Sequence, residues 1–404
     1  VRGAARHGVL IAVAAFVVLG GILLGRWMLT NDEAPPRLPT ETAVRSPPPT
    51  GDPWPMFRGG PECLGVAGCE LPETLTLLWT GDAGGKVSST AAIDGGLVFV
   101  GTHAGEVLAF DLLTGDIRWR YKTNRPVSAS PCVSDGRVIV GDEGGTLYAV
   151  EAATGRLAWT YKVDLGIHSS AVVHEGVVIF GGDDYRVHGV SLKDGSYLWE
   201  VETQDQMWSP PSVSEGEVLI AGCDGLLYAI HPITGVERLA IEVAAPVSAA
   251  VLRFGDLAYV TTMTGVFNCF DVAQGKFLWD RAFADSDLAQ KREGAKFQAS
   301  PAMLEDRFFL SSWDRRVRCV SRAGAEVLWE FDTQGPVNSS PVVVGDRVFF
   351  GCDDGLLYAV GAGDGKLLWR FRAGGVISAS PAVGQGRLVI GSEDGSLYCF
   401  GPKL

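Results

Sequence analysis

A tryptophan recurs at a fixed step along this 404-residue chain. It stands at Trp79, Trp119, Trp159, Trp199, Trp279, Trp329 and Trp369, with Leu239 in the slot between the fourth and fifth. Every step is forty residues except the fifty from Trp279 to Trp329. The residues around it recur as well. Each copy after the first is preceded by a Gly-containing turn, as in TGDIRW, TGRLAW and DGKLLW. Before that turn comes a strand-like phrase, as in VLAF, LYAV, VHGV, LYAI, FNCF, VRCV, LYAV and LYCF. A third phrase reads VSASPCV, IHSSAVV, VNSSPVV and ISASPAV. A period of 20–50 residues is the signature of a repeat architecture. Each unit holds four short apolar runs rich in Val, Ile, Leu, Tyr and Phe, separated by Gly, Asp and Ser. No unit carries a helical stripe of ten residues or more. Four strands per unit and eight units predict an all-β, eight-bladed β-propeller of four-stranded antiparallel blades over residues 74–404. The Trp of each last strand is expected to fill the space between blades.

The two ends of the array are complementary. The first Trp copy has no LYA-like strand before it, and the last such strand, ending at Phe400, has no Trp strand after it. Residues 74–80 are therefore expected to close the ring by adding a fourth strand to the blade formed by 376–400. Closure removes exposed sheet edges, which otherwise invite aggregation.

Upstream of the array lie three other segments. Residues 1–30 contain the uncharged run GVLIAVAAFVVLGGILLG at 8–25, close to the length that crosses a bilayer. Arg2 and Arg6 precede it, and Asp32 and Glu33 follow. The charge bias predicts a single-pass transmembrane anchor with the body outside the cytoplasm, the alternative being a cleaved signal peptide. Residues 31–53 are rich in Pro and Thr and read as a linker. Residues 54–73 form a lead-in outside the repeat. Residues 31–404 carry 31 Lys and Arg against 47 Asp and Glu. A body that acidic is a poor nucleic-acid binder.

The repeat Gly-x-Leu-Tyr-Ala, turn, Gly, three residues, Trp, then Ser-Ser-Pro resembles the PQQ-type propeller repeat. That repeat is found in quinoprotein alcohol dehydrogenases and in BamB, an outer-membrane β-barrel assembly factor. The lead-in WPMFRG, 54–59, resembles a segment that precedes many stand-alone propellers of this group. The dehydrogenase side of the resemblance implies PQQ held beside Ca²⁺, with long insertions and an adjacent Cys pair. This chain has no adjacent Cys pair, and its units are near the minimum length. The BamB side implies no enzyme activity, no cofactor and a scaffold that binds a protein partner in the cell envelope. It lacks BamB's lipid-attachment Cys, so the expected location is the bacterial inner membrane, with the propeller on the periplasmic side.

Candidate site residues come from departures from the unit, because the unit itself serves folding. Three stand out. Trp208 stands where other units are read as having Val or Ile. The extra residues at 283–296 include Lys291 and Arg292. Trp313, Arg315 and Arg316 replace a Gly-rich turn. All three are expected on one face, as a basic island with aromatic anchors that binds a partner. No nucleophile, metal or cofactor residues are expected. The repeated acids Asp142-Glu143, Asp183-Asp184, Asp224, Asp353-Asp354 and Glu393-Asp394 read as turn formers. Cys63 and Cys69 flank a short loop in the lead-in and are a candidate disulfide, the alternative being two free thiols.

Overall fold

A computed structural model describes residues 52–283 and 296–403. They form eight four-stranded antiparallel sheets, the blades of a propeller. Blades 1 to 7 span 92–122, 132–162, 172–202, 212–242, 252–282, 302–332 and 342–372. Each contributes strands a to d in chain order. Blade 8 takes strands a to c from Ala382–Gly384, Arg387–Gly391 and Ser396–Gly401, and its outer strand from Thr76–Asp82. Thr76 pairs with Gly401 and Asp82 with Ser396, so the first strand of the array is hydrogen-bonded to the last. The ring closes as the unmatched ends of the repeat require.

The repeated Trp is a latch between blades. The Trp79 indole donates to the Leu112 carbonyl of the next blade at 2.9 Å. Trp119, Trp159, Trp199 and Trp329 make the same bond to Ala152, Leu192, Pro232 and Ala362, each 33 residues on. The indole lies flat on the turn glycine of the next blade. A Cβ at Gly155 would sit 2.6 Å from Trp119 Cδ2. That explains why Gly and Trp recur together: the ring needs a residue with no side chain beneath it. Leu239 cannot make the bond, and its neighbour Arg238 donates instead to the Val272 carbonyl of blade 5 at 3.0 Å. A second set of bonds explains the Ser-Ser-Pro phrase. The backbone N–H of one blade donates to the Ser Oγ of the next, from Thr90 to Ser130, Ser130 to Ser170, Ala250 to Ser300, Ser300 to Ser340 and Ser340 to Ser380, at 2.8–3.0 Å.

The lead-in threads across the axis of the ring and stoppers it. The inner edges of the a strands present unpaired backbone groups, and the lead-in meets them. The N–H groups of Ile93, Val133, Val213, Met303 and Val343 donate to the carbonyls of Trp54, Pro55, Pro61, Leu64 and Gly65. These acceptors serve blades 1, 2, 4, 6 and 7. Arg58 is the centre of the plug and only 2% exposed. Its guanidinium donates to the carbonyls of Pro341 at 2.5 Å and Pro301 at 2.7 Å. Burial pulls its pKa down to about 9. Gly65, at φ +68, passes so close that a Cβ would lie 1.8 Å from an Arg58 nitrogen.

Cys63 and Cys69 are not joined. Both are free thiols. The plug turns Cys63 inward, where its thiol points to the Pro211 carbonyl of blade 4 at 3.7 Å. Cys69 packs beside the cluster that contains Trp54, Val383 and Leu388. The loop between them is spent on crossing the axis, so the two sulfurs face different blades. Burial pushes the Cys63 thiol up to about 12, where it is a poor nucleophile. Among the described residues no helix is long and apolar enough to cross a membrane. The expected anchor at 1–30 and most of the linker lie outside the described residues.

Candidate functional site at the mouth of the ring

The plug begins and ends beside a–b turns: Asp52 accepts from Gln385 N–H, and Arg347 donates to Leu71 and Pro72. The opposite end of the ring is built from the links between blades and the b–c turns. In every blade one N–H of the b–c turn donates to a link carbonyl. The pairs are His103 to Lys86, Glu143 to Pro126, Asp183 to Gly166, Cys223 to Gln206, Met263 to Pro246, Trp313 to Lys296, Asp353 to Pro336 and Glu393 to Val376, at 2.9–3.2 Å. Eight equivalent side chains therefore circle the mouth.

In four blades a link side chain braces the turn side chain fifteen residues later. Ser88 bonds His103 at 2.7 Å, His168 bonds Asp183 at 2.9 Å, Asn338 donates to Asp353 at 3.0 Å and Ser378 donates to Glu393 at 2.8 Å. Lys86 adds an ion pair to Glu393 at 2.8 Å. Burial raises the Glu393 carboxyl, but the bonds from Lys86 and Ser378 and the Lys86 charge together outweigh it and leave the group below its ordinary range. Burial, with Glu393 and Asp354 nearby, raises Asp353. The Asp183 bond raises the His168 pKa, whereas burial and Lys86 lower that of His103.

Blades 4 to 6 break this pattern. Their turn positions are Cys223, Met263 and Trp313, so this arc of the mouth is apolar. Met207, fully buried, fills the slot of the Val and Ile residues. Trp208 instead occupies the brace position held by Ser88, His168 and Asn338, which corrects the register expected from sequence. Its indole donates to Asp183 of blade 3 at 2.9 Å. The Trp313 indole donates to Asn338 of blade 7. Both Trp residues are thus at the mouth end, but they lean away from each other, with blade 5 between them. Trp313 is 38% exposed, and the Lys296 ammonium lies 5.4 Å from its ring centre. Arg315 is exposed beside it, with φ +65. Arg316 points to the outer wall and pairs with Asp332 at 3.0 Å. The expected basic island is therefore partly neutralised. Lys291 and Arg292 lie outside the described residues.

The repeated acids form turns. Asp142, Asp224, Asp354 and Asp394 each accept a backbone N–H of their own turn and the hydroxyl of the Tyr in the LYA phrase, Tyr148, Tyr228, Tyr358 and Tyr398. That Asp–Tyr pair pins each b–c turn to the strand that follows it. The sequence carries a signal for it, since the Tyr follows the Asp by four residues in three of these turns and by six in the other. Among the described residues no three His, Cys, Asp or Glu side chains cluster as metal ligands would.

Comparison with known proteins agrees with this architecture. No curated protein matches the sequence. Among solved structures, BamB from Moraxella catarrhalis superposes with a TM-score of 0.69 at 19% identity, covering 81% of this chain and all of that one. Quinohemoprotein alcohol dehydrogenase from Comamonas testosteroni superposes with a TM-score of 0.74 at 15% identity, over 87% of this chain and 81% of that one. A europium-containing methanol dehydrogenase gives 0.73 at 14% identity, over 87% and 98%. At such identities these likenesses establish the fold alone. The model of the family described as outer membrane protein assembly factor BamB matches residues 72–281 and 313–403, most of the propeller, and the chain belongs to that family of PQQ-type propellers.

Proposed function

We propose that the chain is a non-catalytic scaffold of the bacterial cell envelope, held in the inner membrane by residues 1–30, that binds a protein partner through the mouth end of its propeller. The observation that carries this reading is how the mouth uses its polar groups. Ser88, His168, Asn338, Ser378, Lys86 and the carboxylates they meet are engaged with one another. Exposed among the large apolar side chains at this end are Leu165 and Tyr185 beside blade 3 and Trp313 on blade 6, and Trp313 alone of these lies beside two cations, Arg315 and Lys296. Exposed aromatics next to Arg are typical anchors of protein interfaces. The run at 8–25, with arginines before it, supports the anchor and the outward orientation.

The enzyme reading is weaker on the residues present. PQQ is a flat acid, and the mouth would present it with Glu143, Asp183, Asp353 and Glu393. Lys86 already serves Glu393. Neither Trp offers a free floor, since each indole is tied to a neighbouring blade. The donor set does not fit the quinone with Ca²⁺, and no reaction step is assigned.

Replacing Trp313 and Arg315 together by Ala should weaken partner binding at least tenfold, as loss of hot-spot residues does, with little change in melting temperature. Capture of the same partners at the same yield from detergent-solubilised membranes would refute the assignment of the surface.

A further inference from the structure

At four seams an aromatic ring two residues after the latch position crosses to a ring in strand c of the next blade. Tyr121 meets Tyr148, Tyr161 meets His188, Phe331 meets Tyr358 and Phe371 meets Tyr398, with centroids 5.2–6.1 Å apart. At three other seams the same two positions hold Val201 and Tyr228, Ile241 and Asn268, and Gly81 and Leu108. None of these is charged. The seam between blades 5 and 6 is different: both positions are arginine, Arg281 and Arg318.

Two like charges have replaced an apolar contact, and a cavity of about 230 Å³ lies there. It is lined by Arg281, Phe283, Arg316, Arg318, Val327 and Glu330. Arg318 is buried and held by Asp314 and by Glu330 at 2.7 Å, so its position is fixed. Phe283 packs against its guanidinium at 5.5 Å. Among the described residues Arg316 is engaged by Asp332 alone, a highly exposed partner in a pair that solvent weakens. Arg281 is exposed and forms no ion pair among the described residues. Three guanidinium groups and one carboxylate line this open cleft, which has room for a carboxylate with its first carbons. The planar fork of Arg suits that shape.

We propose that this seam is a carboxylate-binding pocket for an acidic segment of a protein partner, with Arg281, unpaired among the described residues, as the first donor and Arg316 as the exchangeable one. Its lining residue Arg316 begins strand c of blade 6, three residues after Trp313, which puts the cleft near the proposed anchor at the mouth. The protein origin of the carboxylate rests on the scaffold reading, but the pocket itself does not.

The test uses the full chain in detergent and a labelled, end-capped hexaglutamate peptide, followed by fluorescence anisotropy at low ionic strength. Arg281→Tyr restores the aromatic residue typical of the repeat, and Arg281→Gln removes the charge alone. Both variants should lose at least tenfold in affinity, and Arg281→Tyr should melt no lower than the parent. Arg156→Gln, at an exposed arginine on another blade, should bind as the parent does. Failure of the parent to bind, parent-like binding by either Arg281 variant, or an equal loss in Arg156→Gln would overturn the proposal. Saturable binding of inorganic phosphate without binding of the peptide would also overturn it, by making the pocket a small-anion site. If the peptide binds as expected while partner capture fails, the scaffold reading falls and the pocket stands.

Discussion

Alanine at Gly155 should destabilise the ring far more than alanine at Gly275, although both glycines occupy the same position of the repeat. Their backbones are alike, with φ of +70 and +66. Placing an L side chain in the left-handed region costs about 1 kcal/mol at either site. The surroundings differ. At Gly155 the new Cβ meets the rigid Trp119 ring at 2.6 Å, and that ring is held by its bond to Ala152. Overpacking of this kind adds roughly 2 kcal/mol. At Gly275 the nearest atom is a terminal methyl of Leu239 at 2.9 Å, which a small rotation moves aside. The expected losses are therefore about 3 and about 1 kcal/mol. With an unfolding entropy near 2 cal/mol/K per residue over ~350 residues, they correspond to roughly 4 °C and 1–2 °C. Scanning calorimetry of the two variants measures the difference directly. Adding Trp119→Leu to Gly155→Ala should recover most of the overpacking term, which a double-mutant cycle isolates. Equal shifts for the two glycines, or no coupling to Trp119, would refute the latch argument.

Removing residues 1–82 takes away the plug and the outer strand of blade 8, and should lower the melting temperature by many degrees, whereas removing 1–50 should leave it nearly unchanged. Equal melting of the two truncations would mean that Thr76–Asp82 does not hold the ring closed. The two mouth histidines should titrate on opposite sides of the ordinary His value, His168 above and His103 below, as NMR can follow. Because the folded His168 pKa is raised, its bond to Asp183 stabilises fully below about pH 6.5 and fades as pH rises through the folded value. His168→Gln should flatten that part of the stability–pH curve, and an unchanged curve would remove the bond from the account.

The ring was readable from sequence because every blade repeats the same solution. A Trp at a forty-residue step and a missing strand at each end specify eight blades and their closure without any knowledge of contacts. The plug was not readable, because residues 54–73 occur once and have no periodicity. Its one signal was Arg58 among apolar and Gly residues, which becomes meaningful only when the a strands are seen to need acceptors. The same gap explains Cys63 and Cys69: short separation suggested a bond, but the segment is stretched between blades. Trp208 was placed one position off because Met207 resembles the aliphatic residues of its slot less than the pattern led one to expect. Arg281 and Arg318 do not stand out in the sequence because they belong to different repeats. Only the seam brings them together, and only the aromatic pairs at other seams mark them as departures.

The departures gather on blades 4 to 6, and the closed ring is what tolerates them. Seam 4–5 lacks the Trp latch at Leu239, and Pro210 and Ala250 interrupt the serine bonds there. Arg238 to Val272 and Ser212 to Val251, the latter at 2.6 Å, restore one bond each. At seam 5–6 the turn glycine becomes Ala325, held at φ +53, and among the described residues no bond joins the Trp279 indole to blade 6. In an open array two weak junctions in sequence would be where the chain comes apart, since each repeat relies on its neighbours. In a closed ring, opening one seam also requires breaking the plug, which spans blades 1, 2, 4, 6 and 7 through backbone bonds. Blades 4 to 6 are thus free to exchange latch and stacking residues for apolar and cationic surface. The uniform blades carry the regular latches and stacking, and the irregular ones carry the surface that we propose for the partner.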